Sequence, residues 1–105
     1  MTNAKYGTVN LNPIVIGCDA VYSTDLPYDI TGYTFEGKVL TKIGKNTVAT
    51  FTVAPDEVND RVTWSLINTV TALLTVQVCD WYLTQTDTNN EITKLFDGEV
   101  SIEKK

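Results

Sequence analysis

Residues 33–53 read YTFEGKVLTKIGKNTVATFTV, in which apolar and polar side chains alternate in two runs. Alternation with a period of two puts one set of side chains on a core and the other in water, as in a half-buried β-strand. Gly44-Lys45-Asn46 separates the runs, and these residue types tolerate the positive φ angles of a tight turn. The stretch therefore predicts a β-hairpin.

Further strand signals lie on both sides of this hairpin. Downstream, the composition or alternation of a strand is present at residues 61–67, 75–86, 91–96 and 100–102. Asn68 is placed to cap one short helical turn, and the polar cluster at 87–90 predicts a turn. Upstream, residues 9–16 and 20–24 are shorter strand candidates. Asp97-Gly98 suggests a bulge or a tight bend before Val100 and Ile102.

The strand count and spacing together indicate the fold class. About seven or eight short strands with frequent turn signals are typical of a sandwich or a small barrel. We expect an all-β fold, a single antiparallel β-sandwich of the immunoglobulin-like type with one short helical turn. The chain of 105 residues fits one domain, residues 1–105, with residues 1–8 as a candidate extended arm. A closed barrel would give the same strand pattern and remains an alternative.

The acidic charge balance argues against a nucleic-acid partner. The formal net charge is -5, the sequence pI is about 4.4, and Arg61 is the only arginine. Phosphate binding needs clustered Lys and Arg, so we expect no nucleic-acid partner. The sequence has neither an apolar run of the roughly 20 residues that span a bilayer nor the apolar stretch of a signal peptide. We therefore expect no membrane association and folding in a reducing cytosol, where Cys18 and Cys79 are most simply small buried residues.

The residue types present argue against catalysis. The chain has no histidine, which excludes Ser/His/Asp and Cys/His nucleophile pairs and His-containing zinc sites. The glycines are scattered singly, so there is no phosphate loop. The three carboxylates within residues 56–60 are interpreted as a solvated loop. A calcium loop beginning at Asp87 is not expected, because Ile92 stands where such a loop has glycine and Gly98 where it has its bidentate glutamate. We expect no enzyme activity, no cofactor and no metal.

The aromatic residues of the long strand candidate point in two directions. Trp81 and Tyr82 are adjacent, so on a strand they lie on opposite faces. Cys79, Trp81 and Leu83 form the more apolar set and are assigned to the core. Trp64 is assigned to the core by the same periodicity. Tyr82 then becomes a contact candidate, although a half-buried position under a loop explains it equally well.

Three more tyrosines complete the set of interface candidates. Tyr28 and Tyr33 flank residues 29–32, a loop that could display them or simply lead into a strand. Tyr6 lies on the candidate arm. The interface candidates are therefore Tyr82, Tyr28, Tyr33 and Tyr6.

The order of these segments resembles a known family. DITGYTFEGKV at residues 29–39 is similar to the "DLTGYT" strand start of small β-sandwich domains in tailed bacteriophages, including N-terminal domains of upper baseplate proteins and fibre-anchoring modules. Further similar segments follow in the same order: VATFTV at 48–53, DRVTWSL at 60–66, TALL at 71–74 and LFDGEVSI at 95–102. The resemblance covers most of residues 17–103, and its motifs are individually the general pattern of sandwich strands.

The resemblance implies a structural role in a virus particle. It implies a bacteriophage virion protein, assembled in the host cytoplasm, that binds other phage structural proteins and forms a homo-oligomer on the particle. Family members commonly precede a stalk or fibre region, whereas this sequence ends at Lys105. We therefore expect a free-standing accessory subunit, either a capsid decoration or cement protein or an adaptor at the neck, tail or baseplate. The resemblance supplies no catalytic residues.

Two other functions remain open from the sequence. A glycan- or host-surface-binding module would use Tyr28, Tyr33, Trp81 or Tyr82, and exposure of these aromatic residues on one face would favour it. A cytoplasmic interaction domain such as an inhibitor fits the acidic charge but has no motif of its own.

Overall fold

The computed structural model describes residues 7–105, and within them it contains nine strands and one helical turn. The strands are β1 (Gly7–Thr8), β2 (Ile14–Val15), β3 (Ala20–Asp25), β4 (Thr34–Thr41), β5 (Thr47–Thr50), β6 (Thr52–Asp56), β7 (Arg61–Leu66), β8 (Gln77–Thr86) and β9 (Ile92–Glu103), and the helical turn is α1 (Asn68–Thr71). The fold is all-β, as the sequence predicts, and the short helical turn after β7 is present.

The strands form two sheets. Sheet A has the order β1-β9-β8-β4-β5, with β2 also paired to β9, and sheet B has the order β3-β7-β6. Sheet B is antiparallel throughout, but β1 and β2 both run parallel to β9. The expectation of a purely antiparallel fold is therefore wrong for these two strands. Parallel neighbours need a long connection, and here nearly the whole chain lies between them.

The hairpin predicted from residues 33–53 is present as β4 and β5. Its turn contains Gly44 at φ 84° and Lys45 at φ 51°. The predicted second strand is divided, because the chain leaves sheet A after Thr50 and enters sheet B at Thr52. Phe51, at this crossing, is buried and donates its backbone N–H to the Gly37 carbonyl at 2.9 Å.

β9 runs without interruption through the position where a bulge was predicted. The register with β8 shifts opposite Leu83 and Thr84 instead, where Leu95 has no partner in the ladder. Gly98 has a different role. A Cβ atom at Gly98 would lie 2.1 Å from the Val9 carbonyl oxygen, so glycine is required because the N-terminal segment passes directly over β9.

Both sheets contribute to one apolar core. Trp81 and Leu83 on β8 are buried, as the alternation predicts, and so is Trp64 on β7. The rings of Trp64 and Trp81 stack across the core with centroids 5.6 Å apart and planes inclined by 15°. Cys79 is fully buried while Cys18 is half-buried, both are free thiols, and burial raises the pKa of Cys79.

Helix α1 is fixed by residues distant in sequence rather than by its predicted cap. Asn68 is the first helical residue, and its backbone N–H donates to Asp19 Oδ1 at 2.7 Å. Thr71 is completely buried; its hydroxyl donates to the Cys18 carbonyl at 2.8 Å and accepts the Gly17 N–H at 3.2 Å. A carboxylate at a helix start satisfies N–H groups that would otherwise lack partners, so Asp19 takes the role predicted for Asn68.

Candidate functional site

Tyr82 lies on the outer face of sheet A, opposite in direction to Trp81. Its neighbours in the sheet are Asp97 on β9 and Lys38 on β4. The half-buried phenol donates to Glu36 Oε1 at 3.3 Å. Burial, followed by the nearby Glu36 carboxylate, raises the pKa of Tyr82.

Tyr82 borders a shallow groove of about 850 Å³ on this face. Asp80 accepts hydrogen bonds from Lys45 and, at 2.9 Å, from Lys42, and Lys42 also contacts Glu99. These lysine contacts lower the pKa of Asp80, and Glu99 and Asp80 raise that of Lys42. The charges of the groove are therefore largely paired with one another, and each pair is open to water and so weak.

Tyr28 and Tyr33 lie elsewhere and do not join Tyr82. Their ring centroids are 6.1 Å apart, and both rings pack against the core. The Tyr28 hydroxyl donates at 2.5 Å to Oε1 of Gln85, a fully buried residue of β8. Because Gln85 and Tyr82 alternate along β8, the Tyr28–Tyr33 pair and Tyr82 are on opposite faces of sheet A.

The remaining aromatic candidates, Tyr6 and Trp81, add no exposed ring to Tyr82 or to the Tyr28–Tyr33 pair. Tyr6 lies outside the residues that the structure describes. Trp81 is 1% exposed, so its ring has no face on which an external sugar could stack. Its burial counts against the glycan-binding alternative, which needs an aromatic cluster on one face.

One end of the molecule is formed by residues 26–33, 57–60 and 87–91 and is called here the loop end. Its Asp side chains accept hydrogen bonds from backbone N–H groups of the same loops. Asp87 Oδ1 accepts two backbone N–H groups within its own turn, at 2.8 and 3.0 Å, and Asp60 Oδ1 accepts the Ile30 N–H from another loop at 3.3 Å. The hydrogen bond from the Thr31 hydroxyl lowers the pKa of Asp29, and that from the Asn59 side chain lowers the pKa of Asp56. These carboxylates therefore order the loops.

The opposite end, around α1, exposes apolar side chains. Residues 62–79 contain no Asp, Glu, Lys or Arg. Within this uncharged segment, Leu73 is 83% exposed and four more large apolar residues are exposed as well. The five are called here the α1 patch: Ile67, Val70, Leu73, Val76 and Val78. They are half of the ten large hydrophobic residues that are exposed within residues 7–105.

Sequence reasoning did not identify the α1 patch. The available signals were the absence of charge between Arg61 and Asp80 and the three-residue spacing of Ile67, Val70 and Leu73. The same apolar residues are equally compatible with burial, so the sequence alone does not separate a core segment from an exposed one.

Residues 7–105 contain no cluster of three or more Cys, Asp or Glu side chains placed to hold a metal ion. In the same residues, no helix has the length and apolar character needed to cross a bilayer.

No protein-family model matches the chain, and no curated protein matches it significantly.

Proposed function

We propose that the protein is an accessory structural subunit of a bacteriophage particle that acts by binding other structural proteins. Its place would be that of a capsid decoration or cement protein, or of an adaptor at the neck, tail or baseplate. In this proposal the two sheets form an immunoglobulin-like β-sandwich, the subunit is repeated as a homo-oligomer on the particle, and it joins the virion after synthesis in the host cytoplasm.

The observation that carries the protein-binding role is the α1 patch. Large apolar side chains that cluster in exposed positions commonly mark a protein–protein contact. Removing apolar surface from water contributes roughly 25 cal/mol per Å², so five such side chains can supply the central part of an interface. The segment has no charge of its own, so its burial carries no cost of desolvating an ionised group.

The exposure is a property of a fixed element. Asp19 and Thr71 hold α1 through the hydrogen bonds described above, which orient the patch before any partner binds. A surface that is already ordered loses less entropy on binding than a mobile one. Repetition of the subunit would then make individually weak contacts collectively strong.

The phage assignment rests on the order of the strand motifs between residues 29 and 102. Purified particles labelled with a gold-conjugated antibody to this protein, viewed by electron microscopy, test it directly. Gold over the heads would support a decoration or cement subunit, and gold at the neck or tail tip would support an adaptor. Unlabelled particles alongside labelled infected-cell lysate would show that the virion assignment is wrong.

A second candidate function is recognition of a glycan or host surface through the outer face of sheet A. The observation that favours it is the groove beside Tyr82, where one face of a half-buried aromatic ring lies among polar groups such as Thr84 and Asn10. Glycan-array binding by the unsubstituted protein, lost in Tyr82→Ala, would support it; an array without signal would remove it.

A further inference from the structure

The α1 patch contains a stripe of three side chains on one side of its helical segment. The backbone N–H of Val70 donates to the Ile67 carbonyl at 2.9 Å, and that of Leu73 donates to the Val70 carbonyl at 3.1 Å. Hydrogen bonds between residues three apart place the side chains of those residues above one another. Thr71, which is buried, and Leu74, which packs against the core, are also three apart and form a different side, which faces inward. The stripe therefore faces outward.

The surroundings of the stripe are polar but uncharged. Asn68, Thr69 and Thr75 are exposed beside it, and no Asp, Glu, Lys or Arg lies within residues 62–79. An apolar centre with a polar rim is the composition of a protein–protein interface. Interfaces between proteins that also exist apart are about as apolar as the rest of the surface, whereas homodimer interfaces are more apolar. A purely aliphatic centre therefore favours a second copy of the same chain over a different protein.

The charge distribution also favours contact between copies at the α1 end. The net charge is -5, so two copies repel each other in most relative orientations. At the loop end, residues 26–33, 57–60 and 87–91 together contain five Asp or Glu residues and no Lys or Arg. In a two-fold contact each surface faces its own copy, so an acidic surface opposes like charge while an uncharged apolar surface is its own complement. The α1 end meets this condition and the loop end does not.

The size of the patch determines how strong such a contact is. The exposed fractions of its five residues range from 36% to 83%. At roughly 100 Å² for a fully exposed aliphatic side chain, the patch presents about 300 Å² of apolar surface. Two copies face to face bury about twice this area plus the polar rim, which is below the roughly 1,200–2,000 Å² of a stable complex. The pair is therefore weak and depends on concentration.

We propose that two copies of this chain meet through the α1 patch, each placing its patch on that of the other about a two-fold axis. This inference rests on the proposed function and names the partner of its binding surface. On a particle, a pair presents two copies of every other surface of the subunit, so it binds more tightly than a single subunit does. Separating the pair therefore weakens particle binding as well.

The test is sedimentation-velocity ultracentrifugation of the full chain from about 1 μM to about 1 mM. We expect the average mass to rise from the 11.6 kDa of one chain towards twice that value and no further, because a two-fold contact closes on itself. Leu73→Asp places like charges in the facing patches and should raise the dissociation constant at least about tenfold. Val58→Asp is the matched control, because it makes the same charge change at a 90% exposed position of the loop end. This control should associate as the unsubstituted chain does.

A pair of opposite charges identifies the occupant of the patch. Leu73→Lys alone should dissociate as Leu73→Asp does. An equimolar mixture of the two variants should associate more tightly than either alone, because the ammonium group of one copy then faces the carboxylate of the other. Such recovery also shows that both variants are folded. Raised salt should weaken the mixed pair and leave the unsubstituted pair intact, because screening acts on charges.

Four results would overturn the proposal. They are a chain that stays at 11.6 kDa at about 1 mM, growth beyond two copies, equal losses in Leu73→Asp and Val58→Asp, and a mixture no tighter than its components. Particle labelling is independent of all four. Labelled particles with a monomeric chain would support the proposed function and overturn the pair, and unlabelled particles with pairing that depends on Leu73 would do the reverse.

Discussion

At the loop end, carboxylates bind the backbone of neighbouring loops, whereas at the α1 end apolar side chains stand in solvent. Asp60 and Asp87 satisfy N–H groups of turns that would otherwise need water. The side chains of Ile67 and Leu73 are 58% and 83% exposed and leave their apolar surface in water. Both ends connect the same two sheets, so the difference does not follow from the architecture.

The two ends show that connecting segments can either stabilise the fold through polar contacts or leave apolar side chains exposed. Polar groups that bind their own loops contribute to folding and leave little to offer a partner. The α1 end is held by one exposed hydrogen bond to Asp19 and one partly buried hydrogen bond from Thr71, and its exposed apolar side chains take no part in them. In the proposed function, stability and binding therefore come from different residues of the α1 end, which substitutions can distinguish.

The largest effect on stability is expected at the anchor of α1. Thr71→Val keeps the shape of the side chain but leaves the Cys18 carbonyl and the Gly17 N–H without their partner. We expect the free energy of unfolding to fall by about 2–3 kcal/mol, measured by urea denaturation. Thr69→Val, at an exposed position of the same helix, should change it by less than about 0.5 kcal/mol. Equal effects of the two would show that the buried hydroxyl does not anchor the helix.

The next largest effect is expected on the affinity for particles, at a position where a substitution leaves the stability of the fold unchanged. Leu73→Asp introduces a charge into the α1 patch, and we expect affinity for particles lacking the protein to fall at least about tenfold, or ~1.4 kcal/mol, in a co-sedimentation assay. Ile43→Asp, at a 91% exposed position in the β4–β5 turn, is the matched control. Similar losses in both variants would point to a general charge effect and not to the patch.

A smaller effect on folding is expected at the loop end. Asp87→Ala removes the acceptor of two backbone N–H groups, and we expect the free energy of unfolding to decrease by about 1 kcal/mol. Asn89→Ala, exposed in the same turn, serves as the control in thermal denaturation. Particle binding should be unchanged in both variants. A loss of binding in Asp87→Ala would show that the loop end also contacts the partner.

The smallest effect is the response of the two ends to acid. Hydrogen bonds lower the pKa values of Asp29 and Asp56 below their ordinary 3.8 in the folded protein. A lowered folded-state pKa contributes stability above the unfolded-state value, and this stability is lost as the pH falls through the lowered value. Circular dichroism between neutral pH and about pH 2 should show this loss, and Asp56→Asn should reduce it. The five residues of the α1 patch have no ionisable group. A change in particle binding over this pH range, before the protein unfolds, would therefore contradict the difference drawn between the two ends.

The elements that could be predicted from the sequence are those set by local alternation. The β4–β5 hairpin and the inward set of β8 follow from period two, which neighbouring residues determine alone. Tyr82 was placed on the outer face by the same rule. Features that depend on distant partners were not predictable. Asp19, 49 residues upstream of Asn68, accepts the first N–H group of α1. Leu95 is skipped in the ladder between β8 and β9, and that register depends on both strands.

The candidate site shows the same division. The direction of Tyr82 is a local property, whereas the contact between Tyr28 and Gln85 joins residues far apart in the chain. The exposure of the α1 patch depends on how α1 sits between two sheets, which composition does not specify.

The parallel pairing of β1 and β2 with β9 has a consequence for the order of folding. The strand partners of residues 7–8 and 14–15 are residues 96–97 and 102–103, so during synthesis these two short strands wait for β9. Pairings with such large sequence separation carry a high entropy of loop closure and form late. We therefore expect the hairpins of both sheets to assemble first, and the N-terminal edge of sheet A to close as the final, rate-limiting event.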